Sequence, residues 1–267
     1  MTGITLQRIQ DAASAFIKDS PLNTIAELDS LQLFDAPLIA AADAYDPLFT
    51  KLKENEVVGP QHRMPQEWLE GAKSVISYFL PLTKRVREAN RKPGVAAREW
   101  MYGRYEGEQF NNSLSNYLVA FLENAGIKAV VPVMDPRFSV VNRRSNWSER
   151  HIAFIAGLGT FSLNRSLITA RGSAGRIGSI IVDAAIDATE RQYTEFDEHC
   201  TKCGACILRC PPFAINEQGK DNAVCSDYLG RVLARYRPRY GCGKCQTAVP
   251  CEACIPHVQG NTLSINR

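Results

Sequence analysis

Apolar residues recur at helical spacing over residues 4–18, where Ile4, Leu6, Ile9, Ala13, Phe16 and Ile17 fall near one face, and Pro21 closes the segment. This predicts an amphipathic helix. The next forty residues carry Pro21, Pro37, Pro47 and Pro60 and read as loops and short helices. Residues 73–80 (KSVISYFL) form a compact apolar run rich in β-branched and aromatic side chains, ended by Pro81, and predict a strand. Helical periodicity returns over 114–123 and stops at 124–126, after which 127–133 (IKAVVPV) predicts a second buried strand. Asn146-Trp147-Ser148-Glu149 has the pattern of a capping box opening a helix through Ile155, which Gly157-Leu158-Gly159 ends. Residues 176–186 (RIGSIIVDAAI) predict a third strand, and the polar stretch 187–198 predicts a linker. Strand, helix and strand alternate, so an α/β or α+β layer is expected.

Composition adds a division that the pattern does not show. The chain has 267 residues, 45% of them hydrophobic, which excludes a disordered or fibrous protein. All nine cysteines lie between Cys200 and Cys254. The length suits one larger domain plus a small one, placed at 1–190 and 191–267. No signal peptide or membrane-length apolar segment is recognisable, so a cytoplasmic location is expected, where clustered cysteines serve metal or redox chemistry more often than disulfides.

Charge modifies this only locally. The net charge of +3 is too small to imply nucleic acid as a partner, and no membrane partner is expected. Residues 137–176 nevertheless hold seven arginines against the single Glu149. They read either as a solvated basic face or as a holder for phosphate or carboxylate. The basic stretch 84–92 (KRVREANRK) reads as a solvated loop or helix end.

Cys200-x2-Cys203-x2-Cys206-x3-Cys210-Pro211 has the spacing of bacterial ferredoxins, in which three thiolates hold one cubane and the fourth holds a second. Tandem zinc knuckles are the alternative, but they want two cysteine pairs about fifteen to twenty residues apart. Two four-iron clusters need eight thiolates. Cys225, Cys242, Cys245, Cys251 and Cys254 supply the remaining four with one to spare.

CSDYLG at Cys225 and GCGKCQTAVPC after Tyr240 resemble the double-cluster part of epoxyqueuosine reductase and the related reductive dehalogenases. Upstream, residues 145–151 (SNWSERH), 156–161 (AGLGTF), 167–169 (LIT) and 240–246 (YGCGKCQ) are similar to a shorter, epoxyqueuosine-reductase-like group. The resemblance covers roughly residues 70–260. It implies an α/β (α+β) sandwich-like domain followed by a small bacterial-ferredoxin-like module with two [4Fe-4S] clusters. One cluster would be held by Cys200, Cys203, Cys206 and Cys251, with Cys254 as the alternative to Cys251, and the other by Cys210, Cys225, Cys242 and Cys245. It further implies a corrinoid (cobalamin) near Gly157, Leu158, Gly159, Thr160, Phe161 and Ser162, and a redox partner such as a ferredoxin or flavodoxin as electron donor.

Two departures limit the transfer of activity. The family's acid before the helix falls here at Arg143, so Asp135 is the nearest upstream candidate proton donor. The tRNA-binding repeats have no counterpart before Arg267, which argues against epoxyqueuosine reduction on tRNA. Residues 157–162 begin like a dinucleotide fingerprint but follow a helix, so they read either as a helix C-terminal turn or as a loop that a flat macrocycle approaches. Tyr102 and Tyr105 read as core aromatics or as proton donors, and the histidines as structural, with His199 a donor beside the cysteines. The expected function is an iron–sulfur oxidoreductase passing electrons to a corrinoid or small substrate. A ferredoxin-like carrier or adaptor is the alternative.

Overall fold

The computed structural model describes residues 3–257. In chain order its main elements are α1 (Leu6–Asp19), β1 (Leu38–Asp43), β2 (Ser74–Pro81), α2 (Lys84–Ala89), α3 (Arg98–Glu123) and β3 (Ala129–Val130). They continue with α4 (Glu149–Ile155), β4 (Gly159–Phe161), β5 (Leu167–Thr169), β6 (Gly175–Val182), α5 (Ala205–Leu208) and α6 (Asn222–Tyr236). Thr5 caps α1 by accepting from Arg8 N, and Asp221 caps α6 by accepting from Ala223 N and Val224 N.

The central sheet has the order β1-β2-β6-β3 and is antiparallel throughout, with Ile39 opposite Tyr78, Ile177 opposite Phe79 and Ile181 opposite Val130. All eight residues of β2 are buried, because helices cover both faces of the sheet. One face, carrying Ile76, Tyr78, Leu80 and Ile180, packs on Ile9 and Ile17 of α1 and on Phe110, Leu114, Leu118 and Leu122 of α3. The other face, carrying Val75, Phe79 and Ile181, packs on Ile152 and Ile155 of α4 and on Trp147. The fold is mixed α and β, as expected.

Several expectations need correction. Residues 38–43 form β1, although the stretch read as loop; three alanines are poor strand formers, and pairing with β2 decides the matter. The strand expected at 127–133 shrinks to Ala129–Val130, because Pro132 starts a 3-10 turn. The third strand ends at Val182, not at 186. The capping box does not form: Ser148 is the N-cap residue without a side-chain bond, and Asn146 instead donates to the Arg137 carbonyl at 2.8 Å. Nor is 187–198 a free tether. Thr189 N donates to the Ala41 carbonyl, Arg191 pairs with Asp46 at 2.6 Å, and Tyr193 Oη donates to the Phe154 carbonyl at 2.6 Å. Residues 84–89 form α2, whose Val86 is fully buried in the core.

Candidate functional site

The cysteine segment is pinned to the sheet domain through the backbone of its own cysteines. Buried Asn90 donates to the Cys242 carbonyl at 2.9 Å, Asn164 to the Cys245 carbonyl at 2.7 Å, and Ser173 N to the Cys251 carbonyl at 2.9 Å. Lys244, also buried, donates to the carbonyls of Asn90 and Lys92, and Glu252 pairs with Arg91 at 2.9 Å. The basic stretch after β2 therefore orders the cysteine loops. Gly243, at φ 61°, lies so close to the Trp100 indole that a Cβ would sit 1.9 Å from a ring carbon.

The described cysteines gather into two groups of four. Cys200, Cys203, Cys206 and Cys251 line one small cavity of about 20 Å³ together with Ser162 and Asn164. Cys210, Cys225, Cys242 and Cys245 line a second cavity of about 1010 Å³. Cys254 lines neither; it is exposed, with its thiol 3.8 Å from the Pro250 carbonyl. Burial pushes the Cys245 thiol up to about 12 and the Cys206 and Cys251 thiols up to about 11, each reinforced by neighbouring cysteines. Without a counter-charge such thiols keep their protons at neutral pH. The Ala214 N–H points at Cys210 Sγ at 3.2 Å, a contact of the kind that tunes a metal-bound sulfur. Among the described residues no three His, Cys, Asp or Glu side chains are drawn together as for a single metal ion.

The large cavity lies between this second group and the sheet domain. Its far wall is built by Trp100, Arg104, Tyr105 and Glu108 of α3, Glu149 and Arg150 of α4, and Arg176 and Ile177 of β6, with Phe138 and Tyr240 at its sides. Arg176 pairs with Glu108 at 2.8 Å and donates to the Arg104 carbonyl, while its Nε is sealed without a partner. Both carboxylate oxygens of Glu149 are likewise sealed and unpartnered. Burial raises Glu149 from 4.5 to about 8; the nearby Ser179 hydroxyl opposes this, and the Glu108 charge adds to it. Glu149 therefore keeps its proton at neutral pH.

Sequence reasoning missed Glu149 as a chemical group by assigning it to a helix cap. The available signal was that it is the lone acid in a run of arginines. Asp135 is in another place: its carboxylate binds Arg137 at 2.6 Å, which holds it down at about 2, and it does not line the cavity. An ionised, paired carboxylate has no proton to give. Tyr105 does reach the cavity wall, whereas Tyr102 is buried under the Arg239 guanidinium at 3.7 Å, with its hydroxyl donating to Glu27.

Residues 157–161 also lie away from the large cavity. Gly157, at φ 92°, terminates α4, and Gly159 runs in the β4–β5 hairpin, where a Cβ would meet the Ile168 carbonyl at 2.0 Å. The left-handed turn after α4 requires Gly157, and close backbone packing requires Gly159. Thr160 accepts from His199 N at 2.8 Å, and Ser162 lines the small cavity. His199 Nδ1 lies 3.0 Å from the Ile168 carbonyl, so this histidine braces the hairpin. His62 stacks on Trp147, and His151 meets Phe161 with the rings tilted by 45°.

No family model matches the chain. Over 114 residues, 38% of this chain and 30% of the relative, it is 33% identical to the epoxyqueuosine reductase of Aliivibrio fischeri. Among solved structures it is similar to epoxyqueuosine reductase with an epoxyqueuosine-modified tRNA stem loop, with a TM-score of 0.56 and 18% identity over 93% of this chain and 66% of that one. A catabolic reductive dehalogenase superposes with a TM-score of 0.55 and 13% identity, covering 82% of this chain and 30% of that one. The chain is thus epoxyqueuosine-reductase-like, as its motifs imply. The alignment takes in 30% of the curated relative's length. No helix among the described residues is long and apolar enough to cross a membrane.

Proposed function

We propose that the chain is an iron–sulfur reductase whose reaction chamber is the cavity of about 1010 Å³ beside Cys210, Cys225, Cys242 and Cys245. On this reading those four thiolates hold one [4Fe-4S] cluster, and Cys200, Cys203, Cys206 and Cys251 hold the other. The donor set fits: each group offers four soft sulfur donors. Electrons from a donor protein enter near exposed Cys203 and reach the chamber at the other group.

The observation that carries the reading is the juxtaposition of four cysteines with a large space walled by aromatic and cationic side chains. A pure electron carrier has no need of such a space, whose volume stands at the upper end for ligand pockets. The chamber is also wide enough for a corrinoid, which when bound supplies low-potential cobalt redox chemistry. Trp100, Tyr105, Phe138 and Tyr240 would flank it. Tyr105, which reaches the cavity wall, is the proton source for a reduction there; Glu149 stands in that wall with both oxygens sealed from the space.

Anaerobic purification followed by iron, sulfide, zinc and cobalt analysis tests this. About eight iron and eight sulfide per chain are expected. About two zinc with no sulfide overturns the proposal. Loss of all corrinoid absorbance on gel filtration, after reconstitution with hydroxocobalamin, removes the corrinoid and leaves a cluster reductase of a small substrate.

A further inference from the structure

The arginines of residues 137–176 divide by what they touch. Arg137 is bound to Asp135, Arg144 to the Asn55 carbonyl at 2.8 Å, Arg171 to Asp35 at 3.4 Å and Arg176 to Glu108. Arg150 is different. It lines the large cavity, donates through Nη1 to the Arg165 carbonyl at 2.6 Å, and pairs with no carboxylate among the described residues. Arg104 reaches the same cavity from α3, stacks over Tyr240 at 5.0 Å, and also pairs with no carboxylate among the described residues. Arg176 arrives from β6 with its sealed, unpartnered Nε, and Lys220 adds a further cation.

Against these four cations the wall sets Glu108, already paired, and Glu149, which burial keeps protonated. Arg150 is exposed, so its guanidinium is open to an anion that enters the cavity. Two guanidinium groups on one wall, without carboxylate partners among the described residues, favour a ligand that carries negative charge. A four-thiolate cluster brings some negative charge of its own, so the test must separate that charge from a ligand's.

We propose that the cavity takes an organic anion: a flat aromatic or macrocyclic body against Trp100, Tyr105, Phe138 and Tyr240, with carboxylates received by Arg104 and Arg150. The geometry suits it, because guanidinium binds carboxylate through paired N–H donors and the ring faces favour flat ligands. This rests on the cavity being the reaction chamber proposed above, and does not depend on a corrinoid being its occupant.

The test uses cluster-loaded protein at low salt and a matched pair of probes, naphthalene-2,6-dicarboxylate and naphthalene-2,6-dicarboxamide, in equilibrium dialysis. The dicarboxylate is expected to bind at least about tenfold more tightly, the scale of one charge-assisted hydrogen bond. Arg104→Gln and Arg150→Gln should each remove about that factor, and Arg104→Lys and Arg150→Lys should restore part of it. Iron content and cluster potentials are measured on the same samples. Equal affinity for the two probes, binding of neither below millimolar, or a preference that survives both Gln variants overturns the proposal. So does a shift of cluster potential with the acid preference intact, which would assign the arginines to cluster charge alone. Hydroxocobalamin dialysed in parallel reports separately: its failure to bind counts against the corrinoid, and the wild-type probe pair still decides the anion.

Discussion

Cys200, Cys203, Cys206 and Cys251 enclose about 20 Å³ of free space, whereas Cys210, Cys225, Cys242 and Cys245 open onto about 1010 Å³. The residue type and number are the same, yet the surroundings are opposite. On the proposed function, the tightly wrapped group with one exposed member receives electrons and the group at the wall of the chamber delivers them. The difference arises from what each packs against. The first group is closed by the β4–β5 hairpin through Ser162, Asn164 and Ile168. The second faces α3, α4 and β6, which diverge around the cavity and present mostly long polar side chains.

The sharpest break of this comparison is covalent. Cys245→Ser is expected to lower iron from about eight to about four per chain and to abolish reduction of anything in the chamber, while Cys254→Ser leaves iron unchanged. Iron and sulfide analysis of the two variants beside wild type checks it. Equal loss in both variants would sink the division into two groups plus a spare thiol.

Glu149 comes next. Its folded pKa of about 8 lies above its ordinary 4.5, so the folded state holds the proton more tightly than the unfolded one. Its favourable contribution is complete below about 4.5 and is lost as pH rises through about 8. Stability should therefore fall by a few kcal/mol over that window, each pH unit being worth about 1.4 kcal/mol. Glu149→Gln should flatten the slope. Anaerobic urea titrations of both proteins at pH 6 and pH 8.5 measure it, and parallel slopes would refute the assignment.

A smaller effect distinguishes the two groups through their anchors. Asn90 is buried, accepts from Ala97 N at 3.0 Å, and donates to the Cys242 carbonyl and to Thr247 Oγ1. Asn90→Ala should cost about 1–3 kcal/mol by leaving those groups unpaired. It should also broaden the spectroscopic signal of the chamber-facing cluster alone. The smallest effect belongs to Asp135: its pair with Arg137 is partly exposed, so Asp135→Asn should change stability by no more than about 1 kcal/mol and leave probe binding unaltered.

Legibility in the sequence followed the range of the interactions involved. The helix at 6–19 and the strand at 74–81 declare themselves because local pattern and burial agree there, whereas the helix at 149–155 forms where expected but without the capping box that pointed to it. The spacing of the cysteines is likewise local, and the structure gathers the eight expected thiols in two fours with Cys254 apart. The edge strand at 38–43 was hidden because its alanines speak for a helix as much as for a strand, and only β2 makes it one. Gly159 resembled a cofactor loop because a glycine demanded by a close backbone neighbour looks the same in sequence as one demanded by a ligand.

By itself, the sequence determined that a cysteine-free mixed α and β part precedes a segment whose cysteines have ferredoxin-type spacing, since periodicity and spacing are properties of neighbouring residues. Only the tertiary structure decided which group faces a chamber, that Asp135 is locked to Arg137 while Glu149 is sealed, and that Arg104, Arg150 and Arg176 converge from α3, α4 and β6. Burial and unpaired charge are relations between segments far apart in the chain. They come into being only when the sheet and its helices close around the space between them.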